Sequence, residues 1–346
     1  MSKKILVTGG LGFIGSHTVV ALQEKGYEVV VIDNLSNSSL SVLGGITKIT
    51  KSSPDFENID LRDKVAVKKF FEKYSDIDAV IHFAASKAVG ESVENPLLYY
   101  ENNINTLVYL LQQLKEKDRA KFIFSSSCTV YGQADELPIT ESAPVKKAES
   151  PYGNTKQIGE EIIKDTCKVN DNLSAISLRY FNPIGAHPTA NIGELPIGTP
   201  QNLIPFITQT AAGKRKQLSV FGDDYPTPDG TCIRDYIHVM DLARAHVIAL
   251  ERLLEEEQSS NYEVFNLGTG TGNSVLEVIK SFEKVSGEEL PYKITDRREG
   301  DVVAAYADTS KANDVLKWKA DFTLDDALAS AWKWQQTLEE KKENEI

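Results

Sequence analysis

The feature that most constrains the fold is a short apolar run that leads directly into regularly spaced glycines. Ile5–Thr8 is followed by Gly9, Gly12 and Gly15, and a helical segment begins within this loop. In such a strand–turn–helix unit, the first glycine permits a tight turn and the second lets the backbone approach a pyrophosphate. The third lets the helix pack closely on the strand, and the first N–H groups of the helix bind phosphate. The loop therefore predicts a dinucleotide site.

An acidic residue at the end of the second apolar run indicates which dinucleotide is preferred. Val29–Asp33 is that run, and Asp33 lies 24 positions after Gly9. A carboxylate at this point accepts hydrogen bonds from the adenosine ribose and repels a 2′-phosphate. The pattern favours NAD over NADP, and an acidic turn residue without a binding role is the alternative.

Short apolar runs rich in β-branched residues alternate along the chain with longer segments of helical period. Continuous apolar character, rather than strict alternation, predicts strands buried on both faces of a parallel sheet. Leu97–Leu114 and Tyr152–Val169 have the length of crossover helices. The predicted fold class is α/β, a Rossmann-type doubly wound parallel sheet. The predicted strands are Ile5–Thr8, Val29–Asp33, Asp78–Ala84, Lys121–Ser125, Ala175–Leu178 and Val264–Leu267.

The composition changes after Asn182, where residues 183–235 contain seven of the 13 prolines. This composition is typical of a loop-rich lobe that lies over a sheet and carries substrate loops. Because the strand at Val264–Leu267 comes late in the chain, the second domain is predicted to be interleaved with the first. We predict an NAD-binding domain at 1–182, with later returns near 236–268, and a smaller substrate-binding domain at 183–346.

Charge and cysteine content exclude several classes of partner. The 346 residues include 38 Lys and Arg against 50 Asp and Glu, a formal net charge of −12, which repels nucleic acid and anionic membranes. No apolar run approaches the ~18 residues of a membrane span. Three widely spaced cysteines suit a reducing compartment, so we predict a cytoplasmic protein. Neither the cysteines nor the five histidines have metal-ligand spacing, and no metal is predicted.

Two later segments contain a candidate acid–base pair. Tyr152 and Lys156 are four residues apart, so on a helix they share one face. A nearby ammonium favours the phenolate and is predicted to lower the pKa of Tyr152 from its usual value near 10, making it a general base. Ser127 follows a predicted strand at the edge where open α/β sheets bind ligands, and can hydrogen-bond the same substrate oxygen. A solvated helix face is the alternative for the Tyr–Lys spacing.

These motifs resemble the extended short-chain dehydrogenase/reductase family and, within it, the nucleotide-sugar 4-epimerases. The resemblance covers residues 3 to about 336, and its longer segments are far more specific than the glycine loop. It implies an NAD-dependent isomerase that interconverts UDP-glucose and UDP-galactose, and a homodimer. The segments that carry it include 33–36, 82–84, 87–92, 179–183, 185–188, 234–241 and 297–301.

The resemblance also implies roles for individual residues. Asp60 and Leu61 are expected at the adenine, and Ala305 is expected to limit the size of the sugar's 2-substituent, with its small side chain admitting N-acetylated sugars. The expected cofactor-binding residues are Gly9, Gly12, Phe13, Ile14, Gly15, Asp33, Asn34, Asp60, Leu61, Phe83, Ala84, Lys87, Asn102, Tyr152, Lys156 and Phe181. The expected substrate-binding residues are Lys87, Ser127, Tyr152, Asn182, Asn202, Leu203, Phe221, Arg234, Arg298, Asp301 and Ala305.

Several alternatives stay open at this point. Dehydratases and decarboxylases of the same fold place acidic residues where this chain has Cys128 and Thr129, so dehydration is disfavoured. Epimerases of UDP-pentoses or UDP-uronates would use the same base and cofactor. A non-catalytic NAD-binding sensor would need no reactive pair. Arg234 and Arg298, expected at the diphosphate, have surface ion pairing as their alternative role.

Overall fold

The computed structural model describes residues 2–298 and 301–343. Its strands within these ranges are β1 (Lys4–Thr8), β2 (Glu28–Ile32), β3 (Asp55–Glu57), β4 (Ala79–His82), β5 (Ala120–Ser127), β6 (Leu173–Tyr180), β7 (Asn182–Ile184), β8 (Leu218–Phe221), β9 (Ile233–His238), β10 (Tyr262–Leu267), β11 (Gly272–Ser274), β12 (Tyr292–Thr295) and β13 (Ala304–Ala305). Its helices there are α1 (Phe13–Glu24), α2 (Ser41–Thr50), α3 (Lys64–Lys73), α4 (Val89–Glu94), α5 (Pro96–Leu114), α6 (Pro151–Val169), α7 (Leu203–Ala211), α8 (Val239–Leu254), α9 (Val275–Ser286), α10 (Ser310–Val315) and α11 (Leu324–Glu343).

The larger sheet is parallel throughout and has the strand order β10-β6-β5-β4-β1-β2-β3. The order reverses at β1, because the chain first adds β2 and β3 on one side and then β4, β5 and β6 on the other. In open sheets of this kind, ligands bind outside the carboxyl ends of the strands at the reversal. The fold class predicted from the sequence is confirmed.

Successive strand residues point to opposite faces of the larger sheet, and each face has its own apolar core. Ile5 and Val7 pack with α1, α2 and α8 on one face. Leu6 packs with α3, α5 and α6 on the other face. Burial on both faces explains why the strand sequences are continuously apolar.

The smaller part of the molecule is built from short strands and three helices. β9 pairs with β7 and β13 in parallel and with β11 in antiparallel orientation, and β8 pairs with β12. The helices α7, α9 and α11 cover a separate apolar core that includes Phe282 and Leu328. The chain returns to the larger sheet through α8, which packs on α1, and through β10, which pairs with β6.

The six predicted strands and both predicted helices are present, with ends that differ by at most three residues. One end matters for the site, because Ser127 is the last residue of β5 rather than a residue beyond it. The edge strand β3 has acidic residues at both ends and was not predicted from the sequence. None of the helices in the described ranges combines the length and apolar character needed to cross a membrane.

Candidate active site

The glycine loop forms a backbone cradle between β1 and α1. Gly9 has a φ of 66°, and the N–H of Gly12 donates to the Gly9 carbonyl at 3.0 Å. A Cβ on Gly15 would lie 2.2 Å from the same carbonyl oxygen, so the helix reaches this position only with glycine. α1 begins at Phe13, followed by Ile14, and no side chain caps its first turn. The first N–H groups of the helix can therefore bind a ligand. This cradle fits the pyrophosphate of a dinucleotide.

Asp33 follows β2 and lies beside the glycine loop. Its carboxylate is buried and accepts hydrogen bonds from the N–H groups of Leu11 (3.1 Å) and Leu35 (2.9 Å) and from the Ser38 hydroxyl (2.7 Å). Three donors leave one of the roughly four acceptor positions of a carboxylate for a ribose hydroxyl. The structure therefore places the acid where the sequence predicts a ribose contact.

The residues expected at the adenine lie next to this acid. Arg62 lowers the pKa of Asp60 more than any other group, and its Nη2 lies 2.6 Å from the carboxylate. A hydrogen bond from the Asn34 side chain lowers that pKa further. Leu61 is buried and packs in the core of the second face of the sheet. Its side chain is therefore part of the apolar core next to Asp60.

Tyr152, Lys156 and Ser127 meet where β5 ends and α6 begins. α6 starts at Pro151 behind Ser150, whose hydroxyl accepts from the N–H of Gly153, so the cap fixes Tyr152 in the first turn. The Tyr152 hydroxyl is within hydrogen-bonding reach of the Ser127 side chain. Lys156 is buried, and its Nζ lies 5.7 Å from the centre of the Tyr152 ring. The predicted pairing of a phenol with an ammonium on one helix face is present.

The predicted lowering of the Tyr152 pKa by Lys156 is wrong in this structure. Burial raises the pKa of Tyr152 to about 12, and the hydrogen bond with Ser127 only partly opposes that rise. Burial also lowers the pKa of Lys156 to about 8. The ammonium donates to the Ser125 carbonyl at 2.6 Å, so its hydrogen bond is to the backbone. Removal from water disfavours the charged form of both groups and is the largest influence on each pKa.

The residues expected around the nicotinamide follow β4 and β6. The centres of the Phe83 and His246 rings are 4.7 Å apart. A Cβ on Gly9 would lie 2.7 Å from the backbone nitrogen of Ala84. This close backbone approach joins the end of β4 to the glycine loop. Phe181 is buried directly after β6.

Lys87 has an acidic partner in the loop-rich lobe. Its Nζ lies 3.5 Å from Glu194 Oε1, and the same oxygen accepts from the Asn202 amide at 2.7 Å. Asn202 is the cap of α7, and Leu203 is the first residue of that helix. Asn102, on α5, donates to the Ser86 hydroxyl at 3.1 Å. Glu194 therefore connects an expected cofactor residue with an expected substrate residue.

Two guanidinium groups converge on Asp301 at the far end of the site. Arg298 donates to both carboxylate oxygens (2.8 and 3.2 Å), and Arg234 donates to one of them at 3.4 Å. Arg298 also lies 5.7 Å from the centre of the half-exposed Phe221 ring. Both arginines thus form ion pairs with Asp301, and the Arg234–Asp301 pair is largely buried rather than on the surface. Within the predicted segment 297–301, Glu299 and Gly300 lie outside the described residues.

This arginine cluster is continuous with the Tyr–Lys end of the site. Arg234 is close enough to Cys128, next to Ser127, to act on the pKa of that thiol. Ala305 pairs with Arg234 in the β9–β13 register and packs in one apolar cluster with Phe181. Asn182 begins β7 and pairs with Tyr236, two residues after Arg234 on β9.

Comparison with known proteins shows the family to which the chain belongs. A family profile described as NAD dependent epimerase/dehydratase matches residues 5–268. The chain belongs to this epimerase/dehydratase family. A UDP-glucose 4-epimerase of Bacillus subtilis is 51% identical over 333 residues, which are 96% of this chain and 97% of the relative. The resemblance drawn from the sequence is confirmed.

Solved structures of epimerases have the same fold. A UDP-glucose 4-epimerase from Stenotrophomonas maltophila, with bound NAD and formylated UDP-arabinopyranose, has a TM-score of 0.94 and 46% identity, with 98% of this chain and 99% of that chain covered. The enzyme from Bifidobacterium longum, in complex with NAD⁺ and UDP, has a TM-score of 0.92 and 46% identity, with 97% and 98% covered. These similarities extend beyond residues 5–268 into the smaller part of the molecule.

Sequence reasoning missed two features of this epimerase-family site. Glu160, at twice the Tyr–Lys spacing from Tyr152, forms a buried ion pair with Arg179, and the repeated four-residue spacing is a signal that could have identified it. Tyr225 stacks against the Arg297 guanidinium at 4.1 Å, and its hydroxyl is buried without a hydrogen-bond partner among the described residues. Nothing in the local spacing around Tyr225 indicates this placement.

Proposed function

We propose that this chain interconverts UDP-glucose and UDP-galactose by inverting the configuration at C4, with NAD as its cofactor. The observation that carries the proposal is the meeting of Ser127, Tyr152 and Lys156 at the carboxyl edge of the sheet that also holds the glycine loop. Relatives that match nearly the whole chain are named for this reaction.

In the proposed reaction, Tyr152 takes the proton of the sugar 4-hydroxyl while Ser127 hydrogen-bonds the same oxygen. NAD held by the glycine loop would supply the hydride acceptor and hydride donor at C4, and Tyr152 gives its proton back to the sugar oxygen when the opposite configuration forms. Tyr152 acts in its ionised form, which burial disfavours. We propose that Lys156, as an ammonium one helical turn away, favours this form in the reaction. The half-buried position of Tyr152 keeps bulk water from competing for its proton.

The nucleotide end must anchor the substrate, because the hexose has to turn over between the two hydride transfers. Arg234 and Arg298 have the planar donor geometry that matches diphosphate oxygens, and Asp301 is the acceptor proposed for the uridine ribose. Both guanidinium groups face Asp301, so this carboxylate orients them toward one point. Asn182, Asn202, Leu203 and Phe221 are proposed to line the rest of the nucleotide-sugar site.

Dehydration of the sugar is disfavoured by the chemistry of the residues after Ser127. Burial raises the pKa of the Cys128 thiol to about 11, and the Thr129 hydroxyl is buried without a partner among the described residues. Neither group supplies the carboxyl acid–base pair that a dehydratase places here. The site therefore supports inversion at C4.

The direct test is to incubate the purified protein with UDP-galactose, without added cofactor, and to identify the products. UDP-glucose is expected, because the reaction has no net oxidation and the cofactor stays bound. UDP-pentoses and UDP-uronates are run in parallel. Turnover of one of these and not of UDP-galactose would reassign the substrate, and binding of NAD without any turnover would support a sensor.

The size of the sugar 2-substituent is proposed to be limited by Ala305. Its side chain is nine-tenths buried, and a methyl group there leaves room that a larger side chain would fill. We expect the wild type to convert UDP-N-acetylgalactosamine as well, and Ala305→Tyr to lose that activity while keeping UDP-galactose turnover. Ala304→Tyr is the matched control, because adjacent strand residues point to opposite faces. A wild type that ignores the acetamido sugar would contradict the role given to Ala305.

A homodimer is proposed through the outer surface of α5 and α6. Leu97 is 80% exposed and Leu98 is also exposed at the start of α5, which packs beside α6 in the same chain. Burying this pair against a second copy would stabilise the dimer. Leu97→Glu with Leu98→Glu is expected to shift the sedimenting species from dimer to monomer, whereas Ile294→Glu on β12, in the smaller part of the molecule, serves as the exposed apolar control. A monomeric wild type would refute the proposal.

We also propose the domain limits predicted from the sequence, with 1–182 and the return near 236–268 binding NAD and 183–346 binding the substrate. The return of α8 and β10 to the larger sheet supports the interleaving. Met1 and residues 344–346 within these limits lie outside the described residues. A cytoplasmic location stays a prediction, supported by the unpaired thiols of Cys128, Cys167 and Cys232.

A further inference from the structure

Two of the three serines that end β5 have no part in the proposed reaction, yet each contacts α6. The Ser127 side chain lies within hydrogen-bonding reach of Tyr152, and the carbonyl of Ser125 accepts from Lys156 Nζ at 2.6 Å. The hydroxyl of Ser126 donates to Glu160. Consecutive residues of one strand thus contact residues four apart on one helix, so the register of α6 on β5 is fixed at three points.

Glu160 is held in place by a buried cation. Arg179 donates from Nε to Glu160 Oε1 at 2.9 Å and from Nη2 to Oε2, and the two side chains are 7% and 9% exposed. Arg179 lies on β6 directly opposite Ser126, so both partners of the carboxylate come from paired strands. Its Nη1 donates to the Tyr131 hydroxyl at 2.9 Å. A two-point guanidinium–carboxylate pair of this kind fixes orientation as well as charge.

We propose that Glu160 is a positioning residue for the epimerisation, an inference that rests on the proposed function. Its carboxylate is held by Ser126 and Arg179 and so fixes the register of α6 on β5. The same carboxylate places a negative charge one helical turn from Lys156. Glu160 touches neither the Tyr152 hydroxyl nor the proposed sugar position. It therefore acts through Lys156 and through the placement of the helix.

The electrostatic effect of Glu160 on Lys156 can be assigned because the neighbouring groups named here are neutral or already paired. Burial lowers the pKa of His82 on β4 to about 3, and burial raises that of Tyr180 on β6, so both stay neutral at pH 7. Tyr152 on α6, whose pKa burial raises to about 12, adds no charge as long as it holds its proton. Glu160 is the one charged group that acts on the Lys156 pKa among the described residues, and its own partner is Arg179. The carboxylate raises the pKa of Lys156 against the larger lowering that burial causes.

The first test is Glu160→Gln, which keeps the shape and removes the charge. Without the carboxylate, Lys156 loses its proton at lower pH, so the alkaline limb of the kcat profile should move down by about one pH unit. kcat at the optimum should fall about tenfold while KM for UDP-galactose stays within a few-fold, because Glu160 does not touch the substrate. Glu160→Asp keeps the charge and should leave the limb in place. Glu161→Gln, at the exposed neighbouring position, is the matched control.

A second variant and a second readout keep the test decisive. Glu160→Gln leaves Arg179 without its buried partner and can unfold the protein. Ser126→Ala keeps the ion pair and removes one contact between β5 and α6, so it should lower kcat several-fold without moving the alkaline limb. If Glu160→Gln folds with an unmoved limb, or if Ser126→Ala leaves kcat unchanged, the inference is overturned.

The second readout is the pH dependence of NADH affinity, measured by nucleotide fluorescence. It is informative because Lys156 is proposed to hold the cofactor. The affinity of Glu160→Gln for NADH should fall at a lower pH than that of the wild type. This readout does not depend on the substrate. If the wild type does not convert UDP-galactose, the proposed function fails, and a shifted NADH limb still supports the positioning role of Glu160 while an unshifted one refutes it.

Discussion

Replacing Tyr152 by phenylalanine is expected to lower kcat for UDP-galactose by roughly 10²–10⁴-fold, the range that a positioned acid–base group contributes. The variant lacks only the oxygen that exchanges a proton with the sugar 4-hydroxyl. The ring keeps its place in the first turn of α6, and Ser127 still accepts the N–H of Thr129 at 3.2 Å. Affinity for NADH and for UDP should therefore stay close to that of the wild type.

The measurements are steady-state turnover, NADH binding by fluorescence and UDP binding by calorimetry. Tyr292→Phe, at an exposed position on β12, is the matched control and should behave as the wild type. Turnover of Tyr152→Phe within a few-fold of the wild type would remove this hydroxyl from the mechanism. Loss of NADH affinity along with turnover would mean that the change disturbed the site rather than the proton transfer.

The acid–base pair shows which part of the site could be predicted from the sequence. A spacing of four residues places Tyr152 and Lys156 on one face of any helix, so their proximity could be predicted. The direction of their pKa shifts could not, because it depends on how far each group is removed from water. Burial places the pKa of Tyr152 near 12 and that of Lys156 near 8, and this depends on how α6 packs against β5.

The same distinction applies to the fold. Strands such as β1 and β2, whose last four residues are all buried, contain an apolar run that is recognisable without the structure. β3 and β13, with three and two residues, carry too little pattern to be predicted. Arg234 and Asp301 are 67 positions apart in the chain, so their meeting depends on tertiary contacts. For that end of the site, only the resemblance to known epimerases supplied an expectation.

Replacing Gly15 by alanine is expected to be nearly as damaging as the loss of Tyr152, although the added group is a single methyl. The new Cβ would lie 2.2 Å from the Gly9 carbonyl oxygen and 2.9 Å from the Gly10 Cα. These are backbone atoms and cannot rotate away, so α1 must move from β1 by about 1 Å to restore ordinary contact distances. A displacement of that size at a binding site costs about 10²-fold in turnover. The phosphate cradle moves with the helix, so NADH affinity should fall in parallel with kcat.

The control for this prediction is Gly44→Ala, because that glycine also lies in a helix, α2, and a Cβ there meets nothing within 4 Å. It should keep full NADH affinity and gain slightly in thermal stability, since alanine favours helix more than glycine does. NADH fluorescence, bound nucleotide after purification and the melting temperature are measured for both variants. If Gly15→Ala purifies with a full complement of NAD, the glycine loop does not hold the dinucleotide. The assignment of the cofactor site would then have to be abandoned, whatever the behaviour of Tyr152.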